Sequence, residues 1–248
     1  MIITSKNNET FKYFKKLKNK KYRQEEKLFM VEKPVVITEA EDFIPEYIVI
    51  SESEYIENKF EDILKKYDSK KIYIFADNLF LSISDAITPP GIIAYYKHLD
   101  KKFNKKNGKY LYLDDIQEPG NLGGIIRSAD ALGLDGIILS PNCCDLYNPK
   151  TVRSSMSSIF RLPIYIMPKE ELINLDFNLI ATSIIESKNI RDYEFKDKDI
   201  VIIGNEAKGV SDFLMKKSEF SINIPISDRV NSLNANVAAS IIIYEMTK

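Results

Sequence analysis

The sequence contains very few of the side chains that bind zinc or form disulfides. It has two cysteines, which are the neighbours Cys143 and Cys144, and one histidine, His98. Adjacent cysteines rarely form a disulfide because the resulting ring strains the peptide between them. Zinc sites need several cysteine or histidine ligands, so we expect no metal site. Both thiols are predicted to be small packing residues in the reducing environment of the cytoplasm.

Long apolar runs and an excess of one charge are also missing. No apolar stretch is long enough to cross a bilayer, and polar residues follow Ile3 at once, so neither a membrane anchor nor a signal peptide is expected. The 35 basic and 36 acidic residues give a net charge of −1. A nucleic-acid-binding protein with this balance needs local basic patches. The 248 residues, 44% of them hydrophobic, suffice for one large domain or two small ones.

The amino-terminal part is predicted to be a small α/β domain over residues 1–98. Apolar strands at 47–50, 72–75 and 91–95 alternate with helical stretches at 7–27 and about 55–67. The first helix carries many lysines and has four candidate core residues, namely Phe11, Phe14, Leu17 and Tyr22. Residues 99–109 are polar and lysine-rich and contain Gly108, which predicts an interdomain linker.

Residues 110–248 are predicted to form a second α/β domain with a parallel sheet. Its apolar segments show little alternation, as expected for strands that are covered on both faces. The predicted strands are 110–113, 136–139, 163–166, 179–182, 200–203 and 221–224. The predicted helices are 122–132, 150–160, 169–175, 211–217 and 232–246.

Residues 114–133 form the first of three unusual segments. A strand ends, a Pro-Gly turn follows, and a helix is predicted to open at Asn121, a good N-cap, with Gly123 and Gly124 allowing close backbone approach. Arg127 lies on this otherwise apolar helix and therefore needs an anionic partner. A phosphate and a neighbouring acidic side chain are both compatible with the spacing.

Residues 201–211 and 224–239 are the other two segments. In the former, an apolar strand enters a polar loop that contains Gly204, Glu206 and Gly209, which is typical of a small-molecule loop at the carboxyl edge of a sheet. The loop lacks the lysine of a phosphate-binding loop, so ATP hydrolysis is not expected. In the latter, a strand ends at Pro225 and a polar loop with Ser232 and Asn234 leads into a helix rich in small residues.

Together and in this order, the three segments resemble the motifs of the SpoU/TrmH family of ribose 2′-O-methyltransferases, in the SPOUT class. The matching residues are Asn121, Gly123, Arg127 and Gly133, then Gly204, Glu206 and Gly209, then Ile224, Pro225, Ser232, Leu233, Asn234, Val237 and Ala238. Residues 146–156, 29–32 and 88–94 also resemble family segments. The chain departs from the family pattern at Lys33, Ser157 and Ala235, none of which is expected to take part in chemistry.

The resemblance implies methyl transfer from S-adenosylmethionine to a ribose 2′-hydroxyl of structured RNA. Arg127 would be the key polar residue, acting as base or positioning the hydroxyl and a phosphate, whereas a base role for His98 is not expected. Asn121, Glu206, Ser232 and Asn234 would complete the catalytic site. The cofactor would be held by Thr182, Gly204, Asn205, Gly209, Ile224, Pro225 and Leu233.

The resemblance also implies a SPOUT domain with a deep trefoil knot, preceded by a ribosomal-protein-like substrate-binding domain, and a cytoplasmic homodimer with its active sites near the interface. Ribosomal RNA, and 23S RNA in particular, is expected as substrate before transfer RNA. The candidate RNA-binding residues are Lys15, Lys16, Lys20, Arg23 and Arg153. Two other functions stay open, a catalytically silent ribosome-assembly protein and, more remotely, a nucleotide-dependent oxidoreductase, which the missing glycine fingerprint disfavours.

Overall fold

The computed structural model describes all 248 residues and contains twelve strands and twelve α-helices. The strands are β1 (Ile2–Ile3), β2 (Leu28–Val31), β3 (Tyr47–Ser51), β4 (Ile72–Phe75), β5 (Ile92–Lys97), β6 (Tyr110–Leu113), β7 (Gly136–Leu139), β8 (Ile164–Ile166), β9 (Asn178–Thr182), β10 (Lys188–Asn189), β11 (Asp199–Ile203) and β12 (Phe220–Asn223). The helices are α1 (Glu9–Lys16), α2 (Lys20–Glu26), α3 (Pro34–Glu39), α4 (Glu52–Ile56), α5 (Glu61–Leu64), α6 (Asp77–Ile83), α7 (Pro119–Ala131), α8 (Pro149–Ser155), α9 (Ser158–Arg161), α10 (Lys169–Leu172), α11 (Asp212–Lys217) and α12 (Ala235–Thr247). Two 3₁₀ helices cover Ser69–Lys71 and Ile190–Asp192.

The chain folds into two compact units. Unit 1 comprises Met1–Leu99 together with Tyr147–Phe160, and unit 2 comprises Asp100–Leu146 together with Arg161–Lys248. Residues 147–160 therefore pack with unit 1, whereas the sequence analysis counted them in the predicted second domain over residues 110–248. Within unit 1, Tyr147 stacks on Phe29 and on His98, with ring centroids 4.8 and 3.9 Å apart. This apolar contact explains why the segment folds with unit 1.

Unit 1 contains a mixed five-stranded sheet in the order β1-β4-β3-β5-β2. The pairs β1-β4 and β4-β3 are parallel, and the pairs β3-β5 and β5-β2 are antiparallel. Phe11, Phe14 and Leu17 are buried as predicted, whereas Tyr22 is only half-buried. The single predicted helix over 7–27 is two helices, because α1 ends at Leu17 and the Asn19 side chain caps a new helix by accepting from the Lys21 N–H.

Unit 2 contains a seven-stranded sheet in the order β10-β12-β9-β11-β6-β7-β8, and every pair in it is parallel. The predicted parallel sheet is confirmed, with strand bounds within one residue. Both faces are covered. Along β6, Leu111 and Leu113 point into one apolar cluster, and Tyr110 and Tyr112 into the other. Because alternate residues of a strand point to opposite faces, a strand buried on both faces is apolar at most of its positions.

The segment predicted to be an interdomain linker belongs to unit 2 from Asp100 onward. Lys101 forms a parallel bridge with Tyr165, and the Phe103 ring packs edge-on against Tyr110, Tyr165 and Phe177 at 5.0–5.8 Å. One aromatic side chain within a lysine-rich stretch therefore fixes this segment on the sheet. No helix in the structure combines the length and apolar character needed to span a bilayer.

Helices α7 and α12 pack closely, as the small residues near the start of α12 predict. A Cβ on Gly124 would lie 2.5 Å from the Asn236 side chain, so any larger residue at this position would displace that side chain. Further along, the hydroxyls of Ser128 and Ser240 are 2.7 Å apart. This contact fixes α7, which carries the first motif, against α12, in which the third motif ends.

Candidate active site

The three motifs meet at the carboxyl-terminal edge of the unit 2 sheet. Leu113 at the end of β6 pairs with Ile203 at the end of β11, so the loops that follow these neighbouring strands leave the sheet side by side. In parallel α/β sheets, ligands bind in crevices outside this edge. The third motif follows β12, which lies two strands from β11 in the same sheet.

A cavity of about 660 Å³ opens at this edge, and we call it the strand-end pocket. Its size suits a small-molecule ligand. Six of the seven predicted cofactor-binding residues line it, namely Thr182, Gly204, Asn205, Gly209, Ile224 and Leu233. Pro225 is not among the lining residues, although its neighbours Ile224 and Ile226 are. Three predicted catalytic residues, Glu206, Ser232 and Asn234, also line the pocket.

The loop over residues 204–211 forms one wall and is closed by its own backbone. Asn205 and Gly209 exchange hydrogen bonds through both main-chain groups, at 3.0 and 2.9 Å. The Asn205 side-chain oxygen accepts from the N–H groups of Ala207 and Lys208. A Cβ on Gly204 would lie 2.1 Å from the backbone of Gly209 and of Val210. The loop can therefore close only with glycine at 204.

Glu206 lies at the tip of this loop and binds the start of the first motif. Its carboxylate accepts from the backbone N–H groups of Gln117 and Glu118, both at 3.1 Å, and from the Asn121 amide at 3.0 Å. Partial burial opposes ionisation, but the hydrogen bonds from Asn121 and from backbone N–H groups outweigh it, so the pKa of Glu206 lies below its ordinary value. Glu206 is therefore a hydrogen-bond acceptor at neutral pH and not a proton donor.

Asn121 does not cap α7, contrary to the sequence prediction. The helix begins earlier, at Pro119, and the Glu118 side chain caps it by accepting from the Asn121 N–H. Proline is well suited to the first helical turn, which explains the earlier start. The Asn121 side chain is thereby available to join the motifs, because its amide donates to Glu206 and its oxygen accepts from the Asn234 amide at 3.0 Å.

Asn234 connects this network to the third motif. Its side-chain oxygen accepts from the N–H groups of Asn236 and Val237, so Asn234 is the N-cap of α12. Its side-chain amide group is left to donate to the Asn121 side-chain oxygen. Ser232 lies in the preceding loop and is exposed at the pocket. The structure thus brings together one residue of each motif in a chain of hydrogen bonds from Asn234 through Asn121 to Glu206.

Arg127 lies on α7 about two turns from the start of the helix. Its side chain is exposed, and it forms no ion pair or hydrogen bond. The interpretation in which a neighbouring acid neutralises it is therefore wrong, because the nearby Asp130 pairs with Arg161 at 2.6 Å instead. Arg127 is not among the residues that line the strand-end pocket of its own chain.

Comparison with known proteins agrees with this arrangement. The SpoU rRNA Methylase family matches residues 108–244, and the MRM3-like substrate binding domain matches residues 8–94. The chain belongs to the SpoU rRNA methylase family. The 23S rRNA (guanosine(2553)-2'-O)-methyltransferase RlmP of Bacillus subtilis is 29% identical over 250 residues, which cover 98% of each chain.

Two solved structures extend the likeness of this SpoU family member to the whole fold. The AdoMet-bound rRNA methyltransferase from Sinorhizobium meliloti superposes with a TM-score of 0.87 at 26% identity, over 99% of this chain and 97% of that chain. The SpoU methyltransferase AviRb from Streptomyces viridochromogenes, in complex with the cofactor AdoMet, gives a TM-score of 0.85 at 26% identity, over 97% of both chains.

The SpoU family member also contains a charged cluster beneath its pocket that the sequence analysis missed. The carboxylate of Asp114, which is 1% exposed, accepts from Lys169 Nζ at 3.0 Å and from the Ser211 N–H at 2.8 Å. The backbone carbonyl of the next residue, Asp115, accepts from the Asn205 side-chain amide at 2.7 Å. Both ends of the 204–211 loop are therefore bound to one dipeptide. The sequence signal that could have revealed this cluster is the pair of acids, Asp114 and Asp115, directly after the buried strand β6.

Two of the predicted RNA-binding residues have structural roles. Arg23 is 3% exposed and donates to the carbonyls of Leu17 and Lys18, which close the end of α1. Arg153 pairs with Glu32 and Asp85, both at 3.3 Å. Burial keeps the Arg23 guanidinium from RNA, whereas the Arg153 side chain is 31% exposed and has its charge offset by two acids. The remaining predicted residues, Lys15, Lys16 and Lys20, are exposed.

The two cysteines pack against the unit 2 core, as expected. The Cys143 thiol lies 3.2 Å from the Leu113 carbonyl, and burial raises the pKa of Cys143. Burial, followed by the nearby Cys143 and Glu206, raises the pKa of Cys144 to about 12. Because the thiolate is the nucleophilic form, neither residue is activated for chemistry.

Proposed function

We propose that this SpoU family member transfers a methyl group from S-adenosylmethionine to a ribose 2′-hydroxyl of 23S ribosomal RNA. The observation that carries the proposal is the strand-end pocket, which the second and third motifs line and which Asn121 of the first motif joins through its hydrogen bonds with Glu206 and Asn234. The names of the similar proteins support it, since RlmP is a 23S rRNA 2'-O-methyltransferase and two structural relatives are described with bound AdoMet.

The residues of the pocket fit this cofactor. Apolar side chains such as Ile203, Ile224 and Leu233 can enclose an adenine ring, and the narrow loop after Gly204 places main-chain groups at the wall. The Glu206 carboxylate and the Lys208 side chain also line the pocket, which suits a ligand that carries charges of both signs. When bound, S-adenosylmethionine supplies a methyl group that is already activated by its sulfonium.

The protein must therefore orient a weak nucleophile and lower the cost of removing its proton. Holding the 2′-hydroxyl in line with the methyl group removes most of the entropic part of the barrier. The unpaired guanidinium of Arg127 provides a fixed positive charge for a substrate phosphate and for the developing alkoxide. We assign this positioning role to Arg127, since an arginine stays protonated in proteins and is a poor general base.

We further propose that the protein is a cytoplasmic homodimer with its active sites near the interface. Val237, Ile241 and Tyr244 form an exposed apolar stripe along α12 and are 46%, 37% and 58% exposed. Because α12 packs on α7, a partner seated on this stripe would lie close to Arg127. The deep trefoil knot that the resemblance implies stays a prediction for unit 2.

For unit 1, the proposal retains Lys15, Lys16 and Lys20 as RNA contacts. All three are exposed around the junction of α1 and α2, and none forms an ion pair. Lysines of this kind contact the phosphate backbone and position an RNA without reading its sequence.

The decisive experiment is transfer of a tritiated methyl group from S-adenosylmethionine to total RNA from a strain that lacks this protein, followed by mapping of the modified ribose. We expect incorporation into 23S RNA at one 2′-hydroxyl. Incorporation into transfer RNA would redirect the substrate assignment. Binding of the cofactor by calorimetry without incorporation into any RNA would favour a silent assembly protein and refute the proposed reaction.

A further inference from the structure

We infer that residues 101–106 form a second RNA-binding surface, which holds the phosphate backbone away from the methylated nucleotide. The inference rests on the proposed function, because it takes RNA as the substrate. The segment lies outside both matched family regions, which end at residue 94 and begin again at residue 108. We call it the lysine segment.

The lysine segment is fixed in place and does not behave as a loose tether. Phe103 packs among three aromatic rings, with its centroid 5.1 Å from that of Tyr110, 5.0 Å from that of Tyr165 and 5.8 Å from that of Phe177. Lys101 adds a parallel bridge to Tyr165 in the edge strand β8. A surface held on a sheet loses little further entropy when it binds, which favours it as a contact site.

Four lysines flank this anchor, and all of them present unneutralised charge to solvent. The four are Lys101, Lys102, Lys105 and Lys106. Their side chains are exposed, and none forms an ion pair within the chain. Two acids at the same edge are already engaged. Asp176 pairs with Lys198 at 2.6 Å, and Asp135 accepts from the Lys109 N–H at 2.8 Å. The segment is therefore a local positive patch on a chain whose net charge is −1.

The chemistry of this patch fits a phosphodiester backbone. Lysine ammonium groups act as point charges for phosphates, and four of them within six residues match a repeating polyanion. They carry no groups arranged for base recognition, so the contact would be independent of sequence. A protein whose substrate is a large folded RNA can use such contacts to gain affinity.

The position of the patch predicts which step it serves. Phe103 contacts Tyr110, the first residue of β6, and Phe177, which precedes β9, so the segment lies at the amino-terminal edge of the sheet. The strand-end pocket lies at the opposite edge, about 15 Å away along strands of four to five residues. The lysines are too far from the pocket to touch a cofactor bound there, and they should change RNA affinity without changing methyl transfer at saturating RNA.

The test compares two matched double variants, K105Q/K106Q in the lysine segment and K216Q/K217Q on α11. Both remove two adjacent exposed lysines from unit 2 and change the net charge equally. The probe is an unmodified 23S ribosomal RNA transcript of Bacillus subtilis, with affinity measured by filter binding from 50 to 300 mM salt. For K105Q/K106Q we expect about tenfold weaker binding at low salt and a salt slope smaller by about two.

K216Q/K217Q should keep the wild-type affinity and slope, and both variants should keep the wild-type affinity for S-adenosylmethionine by calorimetry. An equal loss of RNA affinity in the two double variants would show that only the net charge matters and would overturn the inference. An unchanged salt slope for K105Q/K106Q would overturn it as well. Binding and slope are read without methyl transfer. If the wild-type protein binds the transcript but methylates no RNA, the proposed function is refuted. The affinities and salt slopes of the two double variants still decide the inference about the lysine segment.

Discussion

Two arginine-bearing helices of the chain, α7 and α8, lie in segments that both resemble SpoU family motifs, yet their arginines have opposite environments. On α7, Arg127 is exposed and has no partner. On α8, Arg153 pairs with Glu32, whose side chain is 5% exposed, and with Asp85. The first guanidinium is available to an external anion, whereas the second neutralises a buried carboxylate of unit 1.

This difference shows that motif membership alone does not assign a role to a charged residue. A buried carboxylate is stable only when hydrogen bonds or an opposite charge compensate it, and Ser84, the Asp85 N–H and Arg153 do so for Glu32. The charge of Arg153 is therefore used within the fold. An arginine that the fold does not use can bind a substrate phosphate, and Arg127 is such a residue.

The largest expected effect comes from removing the unpaired arginine. Arg127→Ala should lower methyl transfer by at least about 10²–10³-fold, because the positive charge assigned to the substrate phosphate and the developing alkoxide is lost. Binding of S-adenosylmethionine should be largely unchanged, because Arg127 does not line the pocket. Tritiated-methyl incorporation and calorimetry measure the two quantities.

Arg161→Ala is the matched control, because Arg161 is also an exposed arginine but pairs with Asp130 on α7. It should retain most of the activity. Wild-type turnover by Arg127→Ala would remove the contrast between the two helices and refute the assigned role of Arg127.

The second prediction concerns the shape of the pocket wall rather than a charge. Gly204→Ala should weaken binding of S-adenosylmethionine by about a hundredfold or more, because the new Cβ would lie 2.1 Å from backbone atoms and the loop would have to open. Gly133→Ala is the control. A Cβ at 133 meets nothing, and only its left-handed φ of +76° costs about 1 kcal/mol. Loss of cofactor binding in both variants would point to general destabilisation.

A third, smaller effect is expected from the paired charges beneath the loop. Lys169→Met should weaken cofactor binding by about tenfold, equal to about 1.4 kcal/mol, because Asp114 would then hold the Ser211 N–H with an uncompensated buried charge. The rate at saturating cofactor and the KM for RNA should change little. Lys169→Arg keeps the charge and should restore most of the affinity. If Lys169→Arg loses as much cofactor affinity as Lys169→Met, a role based on the charge of Lys169 is contradicted.

The sequence predicted most of this architecture for a physical reason. Strands buried on both faces are apolar throughout, so the six main strands of unit 2 were recognisable to within one residue. The glycines and polar residues at strand ends likewise located the pocket. The start of α7 was misplaced because both Pro119 and Asn121 are suited to a helix start, and the Glu118 carboxylate that decides between them depends on local geometry.

Contacts between residues distant in sequence were beyond sequence reasoning. Arg153 was predicted to bind RNA, and only the fold shows that it pairs with the carboxylates of Glu32 and Asp85, which are 121 and 68 residues away in the sequence. The assignment of residues 147–160 to unit 1 depends on the stacking of Tyr147 on Phe29 and His98. No local pattern encodes such a pairing, because the partners are separated by about fifty residues or more.

The smallest effect on activity is expected for the arginine whose charge the fold already uses. Arg153→Gln should leave methyl transfer per folded molecule within about twofold of wild type, while it lowers stability by about 1–3 kcal/mol. The loss arises because Glu32 would keep its buried charge with fewer donors, and it should appear as a lower Tm by roughly 5 °C in thermal unfolding. Lys70→Gln removes an exposed charge elsewhere in unit 1 and should change neither quantity. A variant at 153 that kept wild-type Tm but bound RNA more weakly would show that Arg153 reaches the substrate after all. Arg127 on α7 and Arg153 on α8 would then both bind the RNA substrate.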